Sequence, residues 1–178
     1  MLDIACGTGT VARTAARRLG VGGYVVGVDL SAPMLTVARA AAAAEHLAVE
    51  WREGSAVELP MADASFDVAF CQQGLQFFPD RPTALREMYN RVLATGGRLV
   101  LSVWSKIERS PGFAVLAEAL ARHISREAGA LMTAGPFALS SPEDLRALLV
   151  GASFEHITIR PAVKILRYPS SDEFSRRS

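Results

Sequence analysis

Residues 2–9 read Leu2-Asp3-Ile4-Ala5-Cys6-Gly7-Thr8-Gly9. A short apolar run ends in two glycines, and a helical pattern follows at once: Val11, Ala15 and Leu19 share one face beside Arg13, Arg17 and Arg18. Gly20, Gly22 and Gly23 then stop the helix. A second apolar run, Tyr24-Val25-Val26-Gly27-Val28, ends at Asp29, twenty residues beyond Gly9. Strand, glycine turn, helix, strand and acid form the opening unit of a parallel sheet wound with helices.

Outward from this unit the alternation continues. Ser31 caps a helix with Pro33 in its first turn, and the helix runs through Ala40–Ala44. Leu47, Val49 and Trp51 alternate with polar residues, as in a half-buried strand. Residues 54–65 read as a loop and Phe66–Cys71 as the fourth strand. Leu85, Met88, Tyr89, Val92 and Leu93 share a helical face, and Gly96-Gly97 makes a turn. Leu99–Trp104 reads as an apolar strand buried on both sides. Phe113, Leu116, Ala117, Leu120 and Ile124 mark another helix, and Ser141-Pro142-Glu143-Asp144 opens one more. Phe154–Arg160 and Val163–Tyr168 read as two closing strands. The expectation is a Rossmann-like, doubly wound, mostly parallel seven-stranded α/β sheet with helices on both faces. Ligands then bind beyond the strands' carboxyl ends, where strand order reverses.

Composition narrows the function. The 178 residues suit one domain with a full core. Nineteen basic and 18 acidic residues give a net charge of +1, which excludes a strong whole-domain pull on nucleic acid or anionic membrane. No apolar stretch is long enough to span a bilayer. Two cysteines, Cys6 and Cys71, make neither a disulfide framework nor a four-thiolate metal site, so a reducing, cytoplasmic setting is expected. Both read as buried thiols rather than nucleophiles. His46, His123 and His156 lack metal-ligand spacing, and no metal site is expected.

Two cofactor classes fit the glycine turn. Gly7-x-Gly9-x-x-Ala12 matches the spacing of a dinucleotide fingerprint. Asp3 discriminates: an ionised carboxylate beneath the turn repels a pyrophosphate but favours the ammonium and sulfonium of S-adenosylmethionine. It also has a structural reading, as a carboxylate that caps the helix or braces the loop. A nicotinamide oxidoreductase of the short-chain type needs a Tyr-x-x-x-Lys pair. Tyr24, Tyr89 and Tyr168 have no lysine four residues on, and the lysines are Lys106 and Lys164.

Residues 2–9 resemble the first motif of class I S-adenosylmethionine-dependent methyltransferases. Val26–Leu35 resembles the second. Glu53-Gly54-Ser55-Ala56 with Leu59-Pro60, then Ser65-Phe66-Asp67-Val68, are similar to the third and fourth. Leu93–Leu99 is similar to the turn into the fifth strand. The chain is most similar to the type 11 methyltransferase domain, which includes quinone-biosynthesis C-methyltransferases. The resemblance implies S-adenosyl-L-methionine as cofactor. Asp3, Ala5, Gly7, Thr8 and Gly9 would face its methionine part, and Asp29 its ribose. Leu30 and Met34 would pack on the adenine, with Ser55 and Ala56 at its edge. Gln72 would meet the amino group. The family often has aspartate where Ser55 stands and glycine where Ala5 stands.

The resemblance implies methyl transfer to a small, rather apolar acceptor covered by residues 105–150. Phe113, Leu116, Leu120, Leu131, Met132 and Phe137 supply apolar surface there. No catalytic residue is identified; the candidates are Gln73, Gln76 and His123. The glutamines take no proton at neutral pH, so they would orient an acceptor. The bland reading of that loop is that Phe77 and Phe78 dock it on the core while the glutamines are solvated. A non-catalytic, cofactor-binding remnant of the fold is the other alternative. A single methyltransferase domain is expected over 1–178. It is expected to be shortened at the N-terminus, because the first strand starts at Leu2. The same expectation extends to the C-terminus, because Ser170–Phe174 reads as the opening turn of a helix.

Overall fold

The computed structural model describes residues 1–165 and Ser170. Its sheet is built from β1 (Leu2–Ile4), β2 (Val26–Asp29), β3 (Glu50–Glu53), β4 (Phe66–Gln72) and β5 (Leu93–Ser102). The order is β3-β2-β1-β4-β5, and every pair is parallel. The helices are α1 (Thr10–Leu19), α2 (Ala32–Ala44), α3 (Arg81–Glu87), α4 (Pro111–His123), α5 (Arg126–Ala134) and α6 (Pro142–Gly151). β1 lies at the centre because Leu2 and Ile4 are fully buried, paired to Val26 and Val28 on one side with Leu2 facing Ala69 on the other. The chain winds outward from β1 to β3, then crosses back to β4 and β5. The switch point therefore lies between β1 and β4.

Local chemistry sets the helix starts. The Ser31 hydroxyl accepts from the Met34 N–H, Asp80 from Thr83, and Ser141 from Asp144. The first helix has no side-chain cap of its own: Gly9 sits at its N-cap in a left-handed conformation. Arg17 and Arg18 lie in the last turn of α1, where they complement the helix dipole, and Gly20 follows at φ 65°. The main core joins β1, β2 and β4 to Leu85, Met88, Val92, Leu145 and Leu149. A smaller cluster under α1 holds Ala12, Ala16 and Val25, with Trp51 packed against it.

Four expectations are corrected. The described sheet has five strands, not seven. Phe154–Arg160 forms no strand: it joins no ladder among the described residues, and His156 breaks it with a bend at φ 52°. Its apolar residues still pack, since Phe154, Ile157 and Ile159 rest partly buried against the core. Pro161 ends that run, having no N–H to give a ladder. In the second segment Val163 and Ile165 are exposed, and residues 166–168 lie outside the described residues. The fifth strand is not buried on both sides: its residues alternate, and Val100 is 48% exposed. Gly96-Gly97 does not separate helix from strand. The stretch between Leu93 and Arg98 bulges out within β5, opposite the short step from Phe66 to Val68. Finally, α5 is an additional helix, opened by Ser125, whose hydroxyl accepts from the Ala128 N–H at 3.2 Å. Residues 171–178, which hold most of the expected terminal helix turn, lie outside the described residues.

Candidate functional site

The turn after β1 is built on left-handed backbone. Ala5, Gly7 and Gly9 have φ of 54°, 55° and 77°. At Gly7 an added Cβ would meet nothing within 4 Å, so the backbone there faces open space. Asp29 holds this turn from the neighbouring strand. One of its oxygens accepts from the Gly7 N–H at 2.7 Å and the other from the Ser31 N–H at 2.9 Å. Asp3 holds it from below. It is 1% exposed, and its Oδ2 accepts from the Ala12 N–H in the first turn of α1 at 2.9 Å. Burial pushes its carboxyl up to about 7, the Ala12 N–H opposes this, and the Asp29 charge adds to the rise. Asp3 thus braces the helix start, the structural reading that the sequence allowed.

The other expected residues surround this turn. Thr8 is exposed. Leu30 is 73% exposed beside Asp29, and Met34 is partly open on the first turn of α2. Ser55 and Ala56 are half-buried after β3. The Ser55 hydroxyl accepts from the Val57 N–H, and Ala56 packs on the main core. Gln72 ends β4 and is exposed. Gln73 follows at φ 56° and donates its backbone N–H to Ser102, tying the loop to β5. At Gly74 an added Cβ would come within 2.7 Å of the Ala5 Cβ, so the loops after β1 and β4 pack directly together.

The reading of these glutamines as solvated fails at Gln76. Gln76 is 3% exposed, and its Nε2 donates to Gln73 Oε1 at 3.1 Å, while its own Oε1 is buried without a partner. Arg81 clamps the loop by donating to the carbonyls of Leu75 and Gln76. Phe78 does dock on the core, whereas Phe77 is exposed. His123 is exposed and is the last residue of α4. Cys6 and Cys71 are free and buried, and burial pushes both thiols up to about 12, so neither is a ready nucleophile. Among the described residues no cluster of three or more His, Cys, Asp or Glu could hold a metal ion.

Two arrangements escape the sequence. Trp104 joins Phe113 and Phe137 in a mutual cluster just past β5, with ring centroids 5.6–5.9 Å apart. The indole of Trp51 lies against Gly9 and Gly27. Only the pairing of Trp51 with Gly27 across β2 and β3 reveals the second.

A family model described as a methyltransferase domain matches residues 2–101, more than half of the chain. The chain belongs to this methyltransferase domain family. Curated relatives include a 2-phytyl-1,4-naphtoquinone methyltransferase of Synechococcus elongatus, 41% identical over 103 residues, which are 57% of this chain and 44% of the relative. A demethylmenaquinone methyltransferase of Thermus thermophilus is 45% identical over 101 residues, 57% of this chain and 45% of the relative. The chain spans about half the length of the curated relatives it matches. A Thermotoga maritima structure described as an S-adenosylmethionine-dependent methyltransferase aligns with a TM-score of 0.60 at 26% identity. That alignment covers 87% of this methyltransferase domain and 63% of the other chain. No helix among the described residues is long and apolar enough to cross a membrane.

Proposed function

We propose that this methyltransferase domain binds S-adenosyl-L-methionine and serves methyl transfer to a small-molecule acceptor by in-line displacement. The observation that carries this is the pair of carboxylates, Asp3 and Asp29, held around a turn whose Gly7 faces open space. This charge suits a cationic cofactor and disfavours a pyrophosphate at the same helix start, which argues against the nicotinamide alternative.

When bound, S-adenosylmethionine supplies a methyl group already activated by its sulfonium charge. The chain's own part is positioning. The open backbone at Gly7 admits the methionine part, with Ala5, Thr8 and the buried turn of Gly9 beside it. Asp29 keeps lone pairs free beyond its two backbone partners to accept from ribose hydroxyls. Exposed Leu30 and Met34 offer apolar cover for an adenine, with Ser55 and Ala56 at its edge and Gln72 toward the amino group. Gln73 and Gln76 orient the acceptor without exchanging a proton. His123, the last residue of α4, is not assigned a part. Such alignment is worth roughly 7–11 kcal/mol in favourable cases.

The relatives named for naphtoquinone and demethylmenaquinone substrates support a quinone-type acceptor. The aromatic cluster of Trp104, Phe113 and Phe137 past β5 offers such a molecule an apolar wall. A cytoplasmic setting without nucleic-acid or membrane partners belongs to the same proposal.

Calorimetric titration with S-adenosylhomocysteine and then NAD tests it. Saturable binding of the first alone, lost in Asp29→Ala and weakened in Asp29→Asn, is the expected result. Binding of NAD instead overturns it. Binding without turnover of any quinol or phenol tried favours the non-catalytic alternative.

A further inference from the structure

We propose that Trp51 is a positioning residue for the cofactor turn, acting through Gly9 from the neighbouring strands. This rests on the reading of that turn as the S-adenosylmethionine site. Trp51 lies on β3, in register with Gly27 on β2. Its indole extends across Gly27 and ends beneath Gly9. A Cβ built on Gly27 would come within 2.5 Å of Trp51 Cζ3, and one built on Gly9 within 2.2 Å of Cη2. Ala38 of α2 stands 3.2 Å from that same Gly9 position, and the Cys6 Sγ lies 3.1 Å from the Gly27 one.

One ring therefore fills the space left by two missing side chains and is flanked by small ones. The consequence falls on the loop. Gly9 is the left-handed N-cap of α1, receives no side-chain cap, and accepts from the Arg13 N–H at 2.9 Å. Its height above the sheet is set by the ring below it. Asp3 and Asp29 fix the turn by hydrogen bonds at Ala12 and Gly7, while the indole supplies the third support between them. Close-packed interiors transmit a displacement at one side of a ring to the other. A shift of order 1 Å at a positioned site is enough to weaken function up to about a hundredfold.

The test combines Trp51→Ala, Trp51→Phe, Trp51→Leu and Gly27→Ala in the full chain. Affinity for S-adenosylhomocysteine is read by calorimetry, and amide hydrogen exchange is read over residues 7–13. Trp51→Ala is expected to lose about tenfold or more in affinity, with faster exchange confined to residues 7–13. Trp51→Phe keeps a ring in place and stays within about threefold of the parent. Gly27→Ala pushes the ring toward Gly9 and weakens binding, and adding Trp51→Leu recovers part of that loss, because the two sites couple. Unchanged affinity and unchanged exchange in Trp51→Ala overturn the proposal, as do strictly additive losses in the Gly27→Ala, Trp51→Leu pair. If the parent chain binds no S-adenosylhomocysteine while Trp51→Ala still loosens residues 7–13, the support role stands and the cofactor reading fails.

Discussion

Ala5 occupies a backbone position at φ 54°, where an L side chain is strained by about 1–2 kcal/mol. Glycine relieves that strain but adds freedom to the unfolded chain, which costs about 0.4–1 kcal/mol. Ala5→Gly is therefore expected to stabilise the protein by roughly 0.5–1 kcal/mol, read as a higher denaturant midpoint at unchanged slope. An unchanged or lower midpoint would show that the Ala5 methyl earns its place by packing under Gly74. At this scale the sequence was legible where chemistry admits few residue types. Gly7 and Gly9 stand at left-handed backbone, and Asp29 closes the strand beside them. It was silent where burial decides. Asp3 reads first as a cofactor-facing carboxylate and second as a brace, and its Oδ2 is found on the Ala12 N–H. Gln76, a polar residue in a loop, gives no sign of being buried.

At the scale of elements, the α4–α5 pair shows the same limit. Residues 126–134 lack a clean apolar stripe, and only the Ser125 cap signals the helix. What holds it is a close approach: an added Cβ at Gly129 would meet the Ala117 carbonyl oxygen and the Ala121 Cβ, both at 2.7 Å. Gly129→Ala should cost about 1–3 kcal/mol despite the better helix propensity of alanine, because the two helices must part. Gly112, in the first turn of α4, has nothing within 4 Å of its built Cβ. Gly112→Ala should instead gain up to about 0.5 kcal/mol. Urea melts of the two variants in parallel separate packing from propensity, and a shared sign would refute the packing argument. The closing strands fail for the complementary reason. Phe154, Ile157 and Ile159 do pack partly buried against the core, but the bend at His156 breaks the period of two between the first pair, and a ladder also needs a partner edge, which periodicity does not encode.

For the molecule as a whole, the switch point concentrates negative charge where the sheet is driest, and pH reports on it. The folded-state pKa of Asp3 is raised to about 7 from 3.8 by burial, so the native state binds more protons than the unfolded chain between those values. Stability contributed by this group is full below about pH 4 and is lost as pH rises toward 7, by an amount on the order of a few kcal/mol. Several surface carboxylates act in the opposite sense. Glu45 is lowered chiefly by its hydrogen bond from Arg17, Glu50 by that from Tyr24, and Asp80 by that from Thr83, so their contribution disappears only as pH falls below their ordinary range. The melting temperature should therefore peak near pH 4–5 and decline toward neutrality. Asp3→Asn keeps an oxygen for the Ala12 N–H but cannot ionise, so its profile should flatten between pH 4 and 7 while the acid limb stays put. Parallel profiles for the two proteins would mean that Asp3 titrates as an ordinary carboxylate. A cationic cofactor adds a second sign to the experiment. It favours the ionised form of Asp3, so saturating S-adenosylmethionine should raise the melting temperature more at pH 7.5 than at pH 5, and Asp3→Asn should erase that difference.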